Sequence, residues 1–419
     1  MNFRSAPPNV RIFSLSFSFF AAAGLMFLTA MILGVRYLPD VAAAHGFRSP
    51  VGWTIAHTMI LGFMTMLAMG ASFQLVQVIL QTHLFSRLLG IAQFAVYTSG
   101  LLILLPSFFH GSVAGIGIGG SLVSVAVVLY VFNLTATMIR KRKWNVFVFG
   151  LALNLLALLF TVGFGIGMGV AGGSGWGVHL YERLFVSHLW FGLGGWMSGL
   201  IVTFSFKLLP MFFISLKKPD AEAWYIIALF QAGIWLQVGS VWLESGMMQF
   251  FSALCLIVSI VLFVRFVVAV RKSARQPGGT IPVVAHMNVA IAVIFAVWLV
   301  LDSGPIHWAR AGGWTEALVV LLVAGWFTLS ILGYMARIVP FLWWAYRFHT
   351  VWQKKSKVLL KDMVRERRMG IELWVYLSAV GIVAISVGWG WPPGAVIGQV
   401  AALLAAVVYL LELFRVFRY

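Results

Sequence analysis

Charge is what this chain has least of. Asp, Glu, Lys and Arg make up 10% of its 419 residues, while 62% are hydrophobic, and the mean hydropathy is +0.99. Soluble globular domains carry about 25% charged residues, so that class is excluded. Cysteine is nearly absent: Cys255 stands alone. One thiol rules out a disulfide framework or a cysteine-ligated cluster, and inside an apolar run it acts as a small hydrophobe. Polar stretches are short too. The longest, about 346–370, is basic and partly amphipathic, and its expected form is a helix lying on the lipid surface.

What is present instead is apolar sequence in runs long enough to cross a bilayer. Twelve are expected, at roughly 12–36, 51–80, 84–106, 108–139, 144–171, 183–215, 222–242, 248–271, 280–302, 316–346, 372–388 and 392–417. The first is too long for a cleavable signal and lacks a small-residue cleavage site. The fold class is therefore all-α integral membrane, a single transmembrane domain over 1–419.

The net charge of +18 does not imply nucleic acid. Basic residues sit at the ends of even-numbered spans: Arg87, the run from Arg140 to Lys143, Lys217, Lys218, Arg271, Lys272 and Arg275, and the stretch from Arg347 to Arg368. Only Arg36, Arg48, Arg183 and Arg310 fall on the other side, four of 29. The positive-inside rule then places both termini in the cytoplasm, in a cell membrane, with anionic lipid as the partner of the excess charge.

One pattern recurs three times: GFMTMLAMGASFQLVQ from Gly62, GWMSGLIVTFSFKLLP from Gly195 and GWFTLSILGYMARIVP from Gly325. Each has Gly, then an aromatic residue (Phe63, Trp196, Trp326), then Ser or Thr three positions after the Gly (Thr65, Ser198, Thr328). Gln74, Lys207 and Arg337 stand at equivalent places near the end. The starts are 133 and 130 residues apart, which predicts three four-helix pseudo-repeats of about 12–139, 144–271 and 280–417. The motif lies on spans 2, 6 and 10.

Topology sorts the nine histidines. His45, His110, His179 and His307 fall in or beside external loops, and His57 and His188 lie in the outer third of spans 2 and 6. His83, His286 and His349 are on the inner side. Loop histidines are by default surface residues, and a lone intramembrane histidine is often an interhelical hydrogen-bonding group. His57 and His188 stand out because they precede the motif Gly by five and seven residues. Polar side chains within spans usually face the bundle interior and mark function, and imidazole is a common metal and heme ligand. His286, beside Asn288, reads as a packing or proton-relay residue. The glycine runs from Gly111 and Gly163 allow close helix approach, or smooth walls for a flat cofactor. External arginines, Arg48 and Arg183 in particular, suit the propionates of a heme; for Arg36 and Arg310 an interfacial anchor serves as well.

Twelve spans in three units, termini inside, with a histidine near the outer end of span 2, resemble the catalytic subunit of heme–copper oxidases and nitric-oxide reductases. AHTMILGFMTMLAMGASFQLV around His57 is similar to the span carrying the low-spin heme ligand. SHLWFGLGGWMSGLIVTFSFKLLPMF around His188 is similar to the span that supplies one copper ligand. Spans 7 and 10 here contain no histidine, so the family's usual binuclear centre cannot be assembled; the likeness extends to the shortened members linked to nitric-oxide response. The resemblance implies an axial heme ligand at His57, with His188 as a second ligand or a holder of copper and His110 as a third candidate. It implies heme, of b type, with copper as a further candidate, and a redox partner or second subunit. Electron transfer or the handling of nitric oxide or oxygen would be the role, and any catalysis that of an oxidoreductase. The rival expectation is a heme-free transporter or assembly factor on the same scaffold, in which Lys207 and Arg337 would contact anions or lipid. Its weakness is that the repeats run parallel and number three.

Overall fold

In a computed structural model the structure describes residues 13–44, 46–141, 144–217, 219, 221–275, 279–303, 313–348 and 358–419. Among them there is helix and no strand. Twelve helices are long and apolar enough to cross a membrane. They are α1 (Ser14–Ala44), α2 (Pro50–Leu80), α3 (Arg87–His110), α4 (Val113–Lys141), α5 (Val146–Ser174), α6 (Val178–Phe213), α7 (Ala221–Leu243), α8 (Gly246–Lys272), α9 (Ile281–Trp298), α10 (Trp314–Phe348), α11 (Glu366–Trp389) and α12 (Pro392–Arg418). All twelve expected spans are found. The largest difference is at α1, which continues past Arg36 to Ala44. There Arg36 and Asp40 pair along the helix at 3.6 Å and the guanidinium lies 4.8 Å from the Tyr37 ring centre, so charge does not end the helix. Most of the basic loop expected to lie on the lipid falls outside the described residues.

The chain divides into two compact units: Met1–Leu88 with Gln276–Met287 and Ala311–Tyr419, and Leu89–Arg275 with Asn288–Arg310. The first holds α1, α2, α10, α11 and α12. Its core is aromatic: Phe27 stacks on Phe63 at 4.5 Å, and Phe19 meets Phe73 edge-on at 5.8 Å. Small residues let these helices close. A methyl group on Gly70 would lie 2.5 Å from Phe19 Cβ, and one on Gly398 only 2.9 Å from the Val383 nitrogen. Gly390 ends α11 in the left-handed conformation at φ 64°, and α12 starts on prolines, a stop and a start that together make the hairpin. Polar ties are few and directed at backbone: Gln399 Nε2 donates to the Met31 carbonyl at 3.1 Å, the Tyr409 hydroxyl to that of Leu332, and Thr280 Oγ1 to that of Gly333 at 3.0 Å.

The second unit holds α3 to α8 and the part of α9 from Asn288. Around Phe191, Ile234 and Leu256 it buries an apolar cluster flanked by Phe164, Trp190, Trp242, Phe295 and Trp298. Ser252 Oγ donates to the Gly233 carbonyl at 2.8 Å and Ser259 Oγ to that of Ile226 at 2.8 Å. Short side chains thus join α7 and α8 through backbone, as small polar residues do in membrane bundles.

Candidate cofactor site

The recurring motif has a structural counterpart. Each of its three helices is interrupted by a π-helical segment: Thr58–Thr65 in α2, Trp190–Ser198 in α6 and Leu321–Phe327 in α10. The motif glycine lies inside every one of them. In two, the hydroxyl three residues later donates to the carbonyl five residues before it: Ser198 to Leu193 at 2.7 Å and Thr328 to Val323 at 2.9 Å. That i−5 reach suits a widened turn, and it gives the repeated Ser/Thr a physical reason. In the first unit the π segments of α2 and α10 pack against each other. Such segments weaken the local ladder and are found mostly at functional sites.

A buried network supports the α6 segment. Gln231 Nε2 donates to the Gly195 carbonyl at 3.1 Å and to Asn154 Oδ1 at 2.8 Å, while Asn154 Nδ2 donates to Thr203 Oγ1 at 3.0 Å. The absence of a side chain at Gly199 makes room for it, since a Cβ there would lie 2.3 Å from Asn154 Oδ1. Gln231→Leu should therefore strand two acceptors, at about 1–3 kcal/mol. We expect a lower unfolding midpoint, with Gln231→Glu retaining more stability than Gln231→Leu; equal midpoints for Leu and wild type would remove the network from this account.

His57 and His188 stand at the entrances of two π segments. The α2 helix starts at Pro50, with Gly52 N donating to the Ser49 side chain at 3.1 Å, and His57 follows about 10 Å along the axis at 1.5 Å per residue. It is the last residue before the π turn. His57 Nδ1 lies 2.8 Å from the Trp53 carbonyl. His188 Nδ1 lies 2.8 Å from the Thr161 carbonyl of α5, and its ring rests over Gly165, where a Cβ would come within 3.3 Å of Cε1. A carbonyl can only accept, so each Nδ1 must carry the proton. Each Nε2 then keeps its lone pair, the state of an imidazole ready to ligate. Both rings are half-buried. His286 shows the same local arrangement, with Nδ1 2.6 Å from the Pro282 carbonyl, but its ring sits 5.8 Å from that of Trp374 and no π segment adjoins it.

The remaining candidates are placed as follows. His57 and Arg48 belong to the first unit; His188, His110 and Arg183 belong to the second. His110 ends α3 rather than beginning α4, and it is exposed beside Phe109. Pro106 is accommodated within α3, which is why the helix outruns its apolar stretch. Arg48 is exposed ahead of α2. Arg183 pairs with Glu244 and reaches the Trp242 carbonyl at 3.5 Å; Trp242 Nε1 in turn donates to Ser187 Oγ at 2.9 Å. His45, His307, His349 and Arg310 lie outside the described residues. Among the described residues no three His, Cys, Asp or Glu side chains converge to hold a metal ion. A copper ion on three imidazoles therefore does not fit, whereas a heme needs only one pinned imidazole and an apolar wall, and His57 and His188 each offer the first.

The π segments, the Asn154–Gln231 network and the Arg183–Glu244 pair were not foreseen from sequence. The signal for the first was present in the repeated Ser/Thr. The others join residues tens of positions apart with no shared pattern. No family model matches this chain, and no curated protein matches it.

Proposed function

We propose that this protein is a heme-binding integral membrane protein of oxidase-like architecture, serving electron transfer or the handling of a diatomic gas and lacking the usual binuclear centre. The observation that supports the reading best is the pair of half-buried imidazoles, His57 and His188. Each is fixed through Nδ1 and set at the start of a π turn in a helix of the same repeated motif. In this reading His57 is an axial ligand, and His188 is the second ligand or the nearest histidine to an open position. The three-repeat arrangement, the cytoplasmic termini and the cell membrane belong to the same proposal; their support is the repeated motif and the loop charges. Bound heme would supply a one-electron couple, or an iron with a site for a gas ligand, depending on whether one or two imidazoles hold it. The chain's own part is to present Nε2, exclude water and set the propionates near cationic side chains such as Arg48.

The transporter reading loses one of its supports. Arg337, which was to contact an anion, is paired with Glu366 at 2.6 Å, both side chains being mostly buried. Purified protein should show a Soret band and a reduced-minus-oxidised difference spectrum, and no oxidase-level consumption of oxygen. Colourless protein from heme-replete cells would favour the heme-free reading, and rapid oxygen turnover would contradict the missing binuclear centre.

A further inference from the structure

The second unit contains a cavity of about 430 Å³ where the α7–α8 turn meets α6 and α9. Its walls are unlike the surrounding spans. Gln237, Ser240, Glu244 and Gln249 line it together with the indoles of Trp190 and Trp298. Polar side chains at this density within a bundle are costly unless they face a ligand or water. The Trp298 Nε1–H is buried with no acceptor in the protein, although buried indole donors ordinarily find one.

The chemistry of the walls narrows the occupant. Glu244 is paired with Arg183, so the cavity offers no net charge to an ion. A phosphate would meet a carboxylate and no spare cation. Donors and acceptors are interleaved: the Trp298 N–H and two amide NH₂ groups donate, while two amide oxygens and the Glu244 carboxylate accept. Ser240 Oγ spends its proton on the Gln237 carbonyl at 2.7 Å and so also presents an acceptor. A hydroxyl both donates and accepts, so a ring bearing several hydroxyls satisfies both sets, which a ligand with only carbonyls would not. The indole faces supply apolar area for the C–H side of such a ring. Phe295 backs both indoles, 6.4 Å from Trp190 and stacked on Trp298 at 5.9 Å, so they are held in place. The volume lies within the range of small-molecule pockets.

We propose that this cavity binds an uncharged polyhydroxylated ring, the chemistry of a free sugar or of the sugar headgroup of an amphiphile. The site is independent of the heme reading and can hold or fail separately from it.

The test is a calorimetric titration of the full chain in phosphatidylcholine nanodiscs with maltose, with dodecyl maltoside and with dodecyl phosphate. Saturable binding of maltose identifies a free-sugar site, and saturable binding of dodecyl maltoside alone identifies a headgroup site. Trp298→Phe, which removes only the N–H and part of the ring, should weaken either about tenfold. Gln237→Leu should weaken it similarly, and it carries the test if the first variant does not accumulate. Dodecyl phosphate should not compete. Absence of saturable binding by both sugar probes overturns the proposal. So does binding that neither substitution changes, or binding of the phosphate as tight as that of the sugar.

Discussion

His57→Ala is expected to yield protein that is inserted and folded but has lost most of its Soret absorbance. The hydrogen bond from His57 Nδ1 runs to Trp53 within the same helix, so removing the ring breaks no tie between helices. Alanine is also a good helix former. Folding should therefore survive, while an axial ligand, if that is what His57 is, cannot be replaced by a methyl group. Thermal unfolding followed by circular dichroism would report the fold, and the pyridine hemochrome would report heme content. His286→Ala is the fitting control, because His286 has the same pinned Nδ1. It should keep full heme, since geometry at Nδ1 alone does not make a ligand. His188→Ala separates the two forms of the proposal. Loss of a second axial imidazole should shift the spectrum from low spin to high spin, whereas a bystander leaves it unchanged. Full heme in His57→Ala together with loss in His286→Ala would mean that the wrong histidine was chosen and that the span-2 resemblance misleads.

How far this could be read from sequence depends on the physics at each place. The spans were legible because hydropathy and length together fix them. Their ends were less so: α1 runs on through Arg36 and Asp40 because those two charges and Tyr37 satisfy one another locally, and no hydropathy window records a partner. The motif helices were visible as a repeat, but their π segments were not. A widened turn is a property of backbone register, and only the hydroxyls of Ser198 and Thr328, reaching back five residues, show what the repeated side chain is for. Arg183 illustrates a different limit. Its external location invited a role with propionates, but Glu244 takes it up from α7, whose final turn is 61 residues away in sequence. Pairing of that kind is a tertiary fact. The histidine readings lie between these cases. Depth along the helix was legible from counting, whereas the carbonyl that fixes each ring had to be seen.

The glycine runs give the second large expected effect, and they test the idea of a smooth cofactor wall directly. From sequence, Gly115, Gly117, Gly119 and Gly120 were equivalent. In the structure they are not. A Cβ on Gly119 would lie 2.6 Å from the Leu104 nitrogen and 2.7 Å from its Cα, while Gly117 and Gly120 have nothing within 4 Å. Gly100 answers from α3, with the Val123 nitrogen at 2.9 Å. Backbone atoms cannot swing aside as a side-chain end can, so a residue larger than glycine at 119 must push α3 and α4 apart. In lipid no hydrophobic gain offsets the lost contact, because packing itself is what holds the helices together. Gly119→Val should then cost at least the 1–3 kcal/mol typical of an overfilled core, measured as a lower denaturation midpoint in detergent. Gly117→Val, placing the same side chain into open space, should leave the midpoint within error. Gly100→Ala and Gly119→Ala should be non-additive, since helices already forced apart leave less for the second methyl to disturb. If Gly119→Val instead loses heme at an unchanged midpoint, the glycine face is a cofactor wall and the packing account of α3 and α4 is wrong.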